Sequence, residues 1–133
     1  MAINVNVRQI SPYTTEGSVR HHTVLVDRPE AKGGTDRGAM GGELLLVALG
    51  GCFMSNLLEI VRTREADLAD ISVDIVGELE GTPPHYTSIE LNISARGGDF
   101  PELEKFVTMA ERACIVANSV RAAIDLSFTV TEA

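Results

Sequence analysis

A chain of 133 residues, 44% hydrophobic and 23% charged, is sized for one domain, 1–133, with a modest core. Its net charge is −8, and its 11 Lys and Arg residues are scattered. Without a basic surface, charge-driven binding to nucleic acid or to an anionic membrane is excluded.

From Met1 to Arg8, polar and apolar residues alternate through Ile3, Val5 and Val7, the period of a strand. No apolar run of an export signal is visible there, so a cytoplasmic setting with reduced cysteines is expected. Ser11 to Gly17 reads as a turn, and a second strand is expected from Ser18 to about Asp27. Arg28 to Gly42, with Pro29 and five glycines, reads as an ordered loop. Its Gly33-Gly34-Thr35-Asp36-Arg37-Gly38 stretch lacks the Gly-Lys-Ser/Thr of a phosphate loop and reads as a turn.

Glu43 to about Arg64 is expected to be the first long helix. Its longest apolar run, Leu44 to Met54, has 11 residues, against the roughly 20 that a membrane span needs. The first half is apolar nearly all round, which predicts burial on most faces. A short chain wraps such a helix poorly, so a homodimer is expected. Ile71 to Glu80 and Tyr86 to Ala95 alternate about the turn Gly81-Thr82-Pro83-Pro84 and predict an antiparallel pair. Asp99, Pro101 and Glu102 form a capping-box-like start to a second helix. Leu103, Phe106, Val107, Ala110, Ala113 and Cys114 then follow helical spacing. A short helical piece through Ala123 and a last strand, Leu126 to Val130, complete the chain. Strands, helix, hairpin, helix and strand in that order predict an α+β fold with mainly antiparallel sheets on two long helices.

The chain has two cysteines, Cys52 and Cys114, 62 positions apart, each on an apolar helical face. A free cysteine is most often a small buried hydrophobe. As a pair, these two are a candidate redox couple. Cys52 lies too deep in its helix to feel the N-terminus, so activating it calls for a positive group from elsewhere. Arg20, His21, His22, Arg28 and Arg37 are the candidates. Gly50-Gly51, two helix-weakening residues directly before Cys52, imply that something approaches closely beside the thiol. His21, His22 and His85 do not fall at metal spacing with either cysteine, so no metal site is expected.

Asp27-Arg28-Pro29, Gly33 to Gly38 and Glu43-Leu44-Leu45-Leu46-Val47-Ala48-Leu49-Gly50-Gly51-Cys52 together resemble the first signature of the OsmC-like and organic hydroperoxide resistance proteins. Glu111-Arg112-Ala113-Cys114 resembles their second, and Pro84 to Ile89 their turn into the middle strand. The resemblance covers about residues 18 to 130. It implies an OsmC-like fold built as an intertwined homodimer, and reduction of organic hydroperoxides without metal or organic cofactor. Cys52 would be the peroxidatic thiolate and Cys114 the resolving thiol. Arg20 is the best match to the activating arginine, with His22 beside it. Glu43, Gly51 and His22 are candidate substrate contacts, and an external dithiol, of lipoyl type in one branch, would be the reductant. Two positions depart from the well-studied branches. Gly42 stands ten residues before Cys52, where those carry a glutamate, and Ile115 stands where a proline often follows the second cysteine. The departures point to a less characterised OsmC-like branch. They keep a non-catalytic reading open, in which the protein binds a small ligand or senses redox state.

Overall fold

The computed structural model describes residues 1–122 and 124–130. These form two compact units, Met1–Val47 and the chain from Ala48 onward. The α+β class expected from the sequence is what forms.

The first unit is an antiparallel sheet of β1 (Asn6–Gln9), β2 (Thr15–Val19) and β3 (His22–Val26) in sequential order. The sequence reading ran β2 and β3 together as one strand and left Thr15 to Gly17 in a turn. It missed the two-residue hairpin Arg20-His21, closed by the pair Val19 and His22. Arg20 sits in that hairpin at φ 53°, not on a strand. Such hairpins need positive φ and usually announce it with Gly or Asn, so an arginine there hides the turn. Strand β1 also begins later than the alternation suggested, leaving Ile3 and Val5 ahead of it and exposed.

The loop after β3 is organised by one buried carboxylate. Asp27 accepts hydrogen bonds from the hydroxyls of Thr14 (2.9 Å) and Thr35 (2.5 Å). It also accepts from the N–H groups of Arg28 (2.6 Å), Arg37 (3.2 Å) and Thr35 (3.3 Å). The Thr35 hydroxyl foremost holds its pKa well below the usual carboxylate range, helped by the Arg28, Arg37 and Thr14 donors and opposed by burial. Two glycines serve close backbone approach rather than ligand binding. A Cβ on Gly34 would lie 2.1 Å from the Arg28 carbonyl oxygen, and one on Gly38 2.2 Å from that of Leu25. The loop is therefore a tied turn, as expected, containing a short 3-10 segment, Glu30–Lys32.

Helix α1 runs Gly41–Thr63, starting two residues before the expected Glu43. By length and hydropathy it would suffice to cross a bilayer. Its middle turns instead lay Leu49, Phe53 and Leu57, at i, i+4 and i+8, into a core. Leu45, Val47 and Leu58 remain exposed, so the chain alone does not bury the helix on most faces as the sequence suggested.

In the second unit, β4 (Ala69–Glu80) and β5 (His85–Arg96) form one antiparallel pair through the turn at Gly81, which has φ 90°. Their apolar residues alternate as predicted. Ile71, Val73, Ile89, Leu91 and Ile93 pack toward the core while their neighbours face out. Helix α2 (Phe100–Ala113) begins as expected: Asp99 accepts from the Glu102 N–H at 2.7 Å. Leu103, Phe106 and Ala110 form its buried stripe. The helical path breaks at Cys114, and α3 (Ile115–Arg121) starts anew. The expected end of this piece at Ala123 lies outside the described residues. The last expected strand does not form. Residues 124–130 have no strand partner among the described residues, and Leu126, Phe128 and Val130 are exposed.

Candidate functional site

The second unit brings the two cysteines together. Cys52 projects from α1, half-buried, and packs against the cluster that contains Phe53, Leu57, Phe106, Ala110 and Cys114. Cys114 is fully buried. It is the hinge residue between α2 and α3, extended at φ −74° and ψ 114°, and caps both helices. Its N–H bonds the Glu111 carbonyl at 3.2 Å, and its Sγ accepts from the Ala117 N–H at 3.4 Å.

This break creates the electrostatics of the site. The first N–H groups of a helix have no intrahelical partner. Here those of Val116 and Ile115 turn to Cys52. The Val116 N–H foremost, then the Cys114 thiol and the Ile115 N–H, lower the Cys52 pKa from the usual thiol value, against the opposing effect of burial. For Cys114, burial dominates and pushes the pKa up. The adjacent Cys52 sulfur adds to the rise, and the Ala117 and Val116 N–H groups oppose it. The two thiols are thus displaced in opposite directions: Cys52 is the more acidic of the pair, and the Cys114 thiol is the hydrogen-bond donor between them.

Sequence reasoning sought the activating group among arginines and histidines. It missed the backbone of Ile115 and Val116, because it extended helical spacing through Cys114. The available signal was Asn118-Ser119 shortly beyond Cys114, polar residues where the apolar stripe stops. Glu43 lies in the first turn of α1, exposed, and its Oε1 accepts from the Met40 N–H at 2.9 Å, a capping contact. Gly50 and Gly51 differ. A Cβ on Gly50 would lie 2.4 Å from the Ile75 Cδ1 of β4, so this glycine makes room for the sheet. One on Gly51 would meet nothing within 4 Å. Gly51 is thus the exposed, open position beside Cys52. Arg20 and His22 lie at the β2–β3 hairpin of the first unit, both exposed, with the His21 and His22 rings 4.0 Å apart. Two open clefts, of about 480 and 460 Å³, lie at Arg64, Lys105 and Phe106 and at Tyr13, Arg28 and Lys32; neither includes Cys52.

Residues 34–129 match the protein family described as OsmC-like protein, and this span contains both cysteines and the α2–α3 break. The chain belongs to the OsmC-like family. Among curated proteins none matches the sequence. Solved structures share its fold. A hypothetical protein from Aquifex aeolicus VF5 is 22% identical over 91% of this chain and 88% of its own, with a TM-score of 0.78. An OsmC-like protein from Mycoplasma pneumoniae has the same TM-score and coverages at 12% identity. An organic hydroperoxide resistance protein from Elizabethkingia anophelis is 17% identical over 91% of this chain and 89% of its own, at a TM-score of 0.70. The OsmC-like fold is therefore the architecture in which Cys52 and Cys114 meet.

Proposed function

We propose that this OsmC-like protein is a thiol-dependent hydroperoxide reductase working through Cys52 and Cys114. The observation that carries the reading is the packing of both thiols in one core cluster at the α2–α3 break, where neighbouring donors lower the Cys52 pKa and burial raises that of Cys114. A thiolate is the nucleophile that attacks a peroxide oxygen. Attack by Cys52 on the terminal oxygen breaks the O–O bond and leaves Cys52 as a sulfenic acid; the alkoxide takes a proton and departs as the alcohol. Cys114 sulfur then attacks the Cys52 sulfur, and its proton leaves with the hydroxyl as water. The net change converts one hydroperoxide and two thiols to alcohol, water and one disulfide. An external dithiol restores both thiols by exchange.

A reducing, cytoplasmic setting suits this cycle. The open position at Gly51, where an added Cβ would meet nothing within 4 Å, supports approach of an organic hydroperoxide to the sulfur there. The exposed apolar residues of α1 and of residues 124–130 support a second copy of the chain covering them in a homodimer.

The test is a single turnover. Fully reduced protein is mixed with one equivalent of cumene hydroperoxide, and free thiols and intact mass are followed over seconds. Loss of two thiols with a mass decrease of two hydrogens is expected, and Cys52→Ser abolishes peroxide consumption. Thiols that persist for many minutes would overturn the enzymatic reading in favour of ligand binding or sensing. A gel-filtration mass near that of one chain would overturn the dimer.

A further inference from the structure

Asn56 has no place in the chemistry above, yet it occupies a particular register. It lies four residues after Cys52 on α1, about one turn along the same face. Its Nδ2 donates to the carbonyl of Ala110 at 3.4 Å. Ala110 lies four residues, about one turn, before Cys114 on α2. The contact is thus a cross-strut between the two helices, about 6 Å along each axis from the cysteine that helix carries. A carbonyl only accepts, so the amide nitrogen, not the oxygen, faces Ala110.

The acceptor is available for a reason. In a continuous α-helix the Ala110 carbonyl would receive the N–H of residue 114. Here the Cys114 N–H goes to Glu111 instead, three residues back, as α2 tightens in its last turn. Ala110 is fully buried, so water is not at hand to replace that donor. Asn56 supplies one. At 3.4 Å the bond is long, and its weight lies less in its own strength than in sparing a buried carbonyl from going unpaired. Any leucine-like side chain at position 56 would fill the space and leave that carbonyl without its donor.

We infer that Asn56 is a positioning residue for the dithiol. By pairing the Ala110 carbonyl that the Cys114 break releases, it fixes the α1–α2 spacing at which the two sulfurs meet. The inference rests on the dithiol reading above, but not on peroxide being the oxidant. In the reduced protein the strut holds Cys114 and the Ile115 and Val116 N–H groups against Cys52 in advance. Without it, forming the disulfide must also restore that order, and preorganisation is lost.

The experiment measures the equilibrium between the Cys52–Cys114 dithiol and its disulfide in glutathione buffers, using the full chain. It yields the effective concentration of one thiol toward the other. Asn56→Leu keeps the size and removes the donor; Asn56→Asp keeps the shape and, as a carboxylate, cannot donate. Both are expected to lower the effective concentration about tenfold, equivalent to about 1.4 kcal/mol, and to move the Cys52 alkylation profile to higher pH. Should Asn56→Leu not fold, Asn56→Asp alone decides. Ile60→Val, which trims the same core without touching the strut, is expected to lower the melting temperature and leave both readouts unchanged. An effective concentration within twofold of wild type in the Asn56 variants overturns the inference, as does a wild-type protein that forms no disulfide in oxidised glutathione. A wild-type protein that closes its disulfide with glutathione but ignores cumene hydroperoxide removes the peroxidase reading alone.

Discussion

Replacing Gly50 and Gly51 by alanine, one at a time, puts opposite demands on two neighbouring positions of one helix. In an exposed helix interior, Gly→Ala stabilises by about 1 kcal/mol through backbone entropy. At Gly51 nothing lies within 4 Å of the added Cβ, so the full gain is expected. At Gly50 the new Cβ meets Ile75 Cδ1 at 2.4 Å, closer than carbon atoms tolerate, and the site is buried. Overpacking of this kind costs about 1–3 kcal/mol. The clashing atom is the end of a flexible side chain, so the lower half of that range applies. The net for Gly50→Ala is then between about zero and a loss of 1 kcal/mol. Ile75→Val removes the offending methyl, itself at a cost of about 0.5–1.5 kcal/mol. In that background Gly50→Ala should become stabilising, with a coupling energy of about 1–2 kcal/mol. Urea melts of the four proteins of the cycle, alongside Gly51→Ala, read this directly, and about 4 °C in melting temperature accompanies each 1 kcal/mol. Gly50→Ala that stabilises as much as Gly51→Ala, or a cycle with coupling below about 0.4 kcal/mol, would refute the packing argument. Gly51→Ala that destabilises would refute the open face and place a second molecule against it.

Three further outcomes are expected. Cys114→Ala removes a thiol donor from Cys52, so the pH midpoint of Cys52 alkylation by iodoacetamide should rise toward the usual thiol value, with slower alkylation at pH 7; an unmoved midpoint would show that Cys114 does not support the thiolate. Asp27→Asn should lower stability at neutral pH. The wild-type carboxylate has a depressed native pKa, so its contribution is fully present above about pH 4, the ordinary Asp range, and is lost as pH falls through the native value. A gap between the two proteins that does not narrow in acid urea melts would contradict this. Glu43→Ala should cost on the order of 0.5–1 kcal/mol by removing the contact to the Met40 N–H, without changing Cys52 alkylation; a large loss of alkylation rate would instead tie Glu43 to the thiol.

Long periodic segments were legible in the sequence: α1, the β4–β5 pair and the capped start of α2 all follow from spacing and turn chemistry. Four things were not. The β2–β3 hairpin is closed by Arg20-His21, which carries none of the usual glycine signal, so two strands read as one. The Asp27 hub depends on Thr14 and Thr35, distant in sequence, whose meeting no local pattern encodes. The segment Leu126 to Val130 has a strand's alternation without a strand beside it, since pairing depends on a neighbour that local sequence does not specify. The cysteines were found, but their activating donors were not, because backbone N–H groups have no residue identity to read.

The break at Cys114 ties the features of the site into one local event. Were α2 to continue unbroken, the N–H groups of Ile115 and Val116 would be consumed by the carbonyls of Glu111 and Arg112, and the Cys114 N–H by that of Ala110. Of the groups that lower the Cys52 pKa, only the Cys114 thiol would then be left. Breaking the helix one residue before Ile115 frees those two donors for Cys52. It also places the Cys114 Sγ where the Ala117 N–H can cap α3, and it releases the Ala110 carbonyl to Asn56. The Cys52 pKa is thus lowered by fixed backbone dipoles and by the neighbouring Cys114 thiol. Within its unit no charged side chain shifts the Cys52 pKa. Dipoles fixed in a packed hinge are screened far less by salt than an exposed ion pair. The lowering of the Cys52 pKa therefore draws on the start of α3 and on Cys114, and on no side chain at position 42.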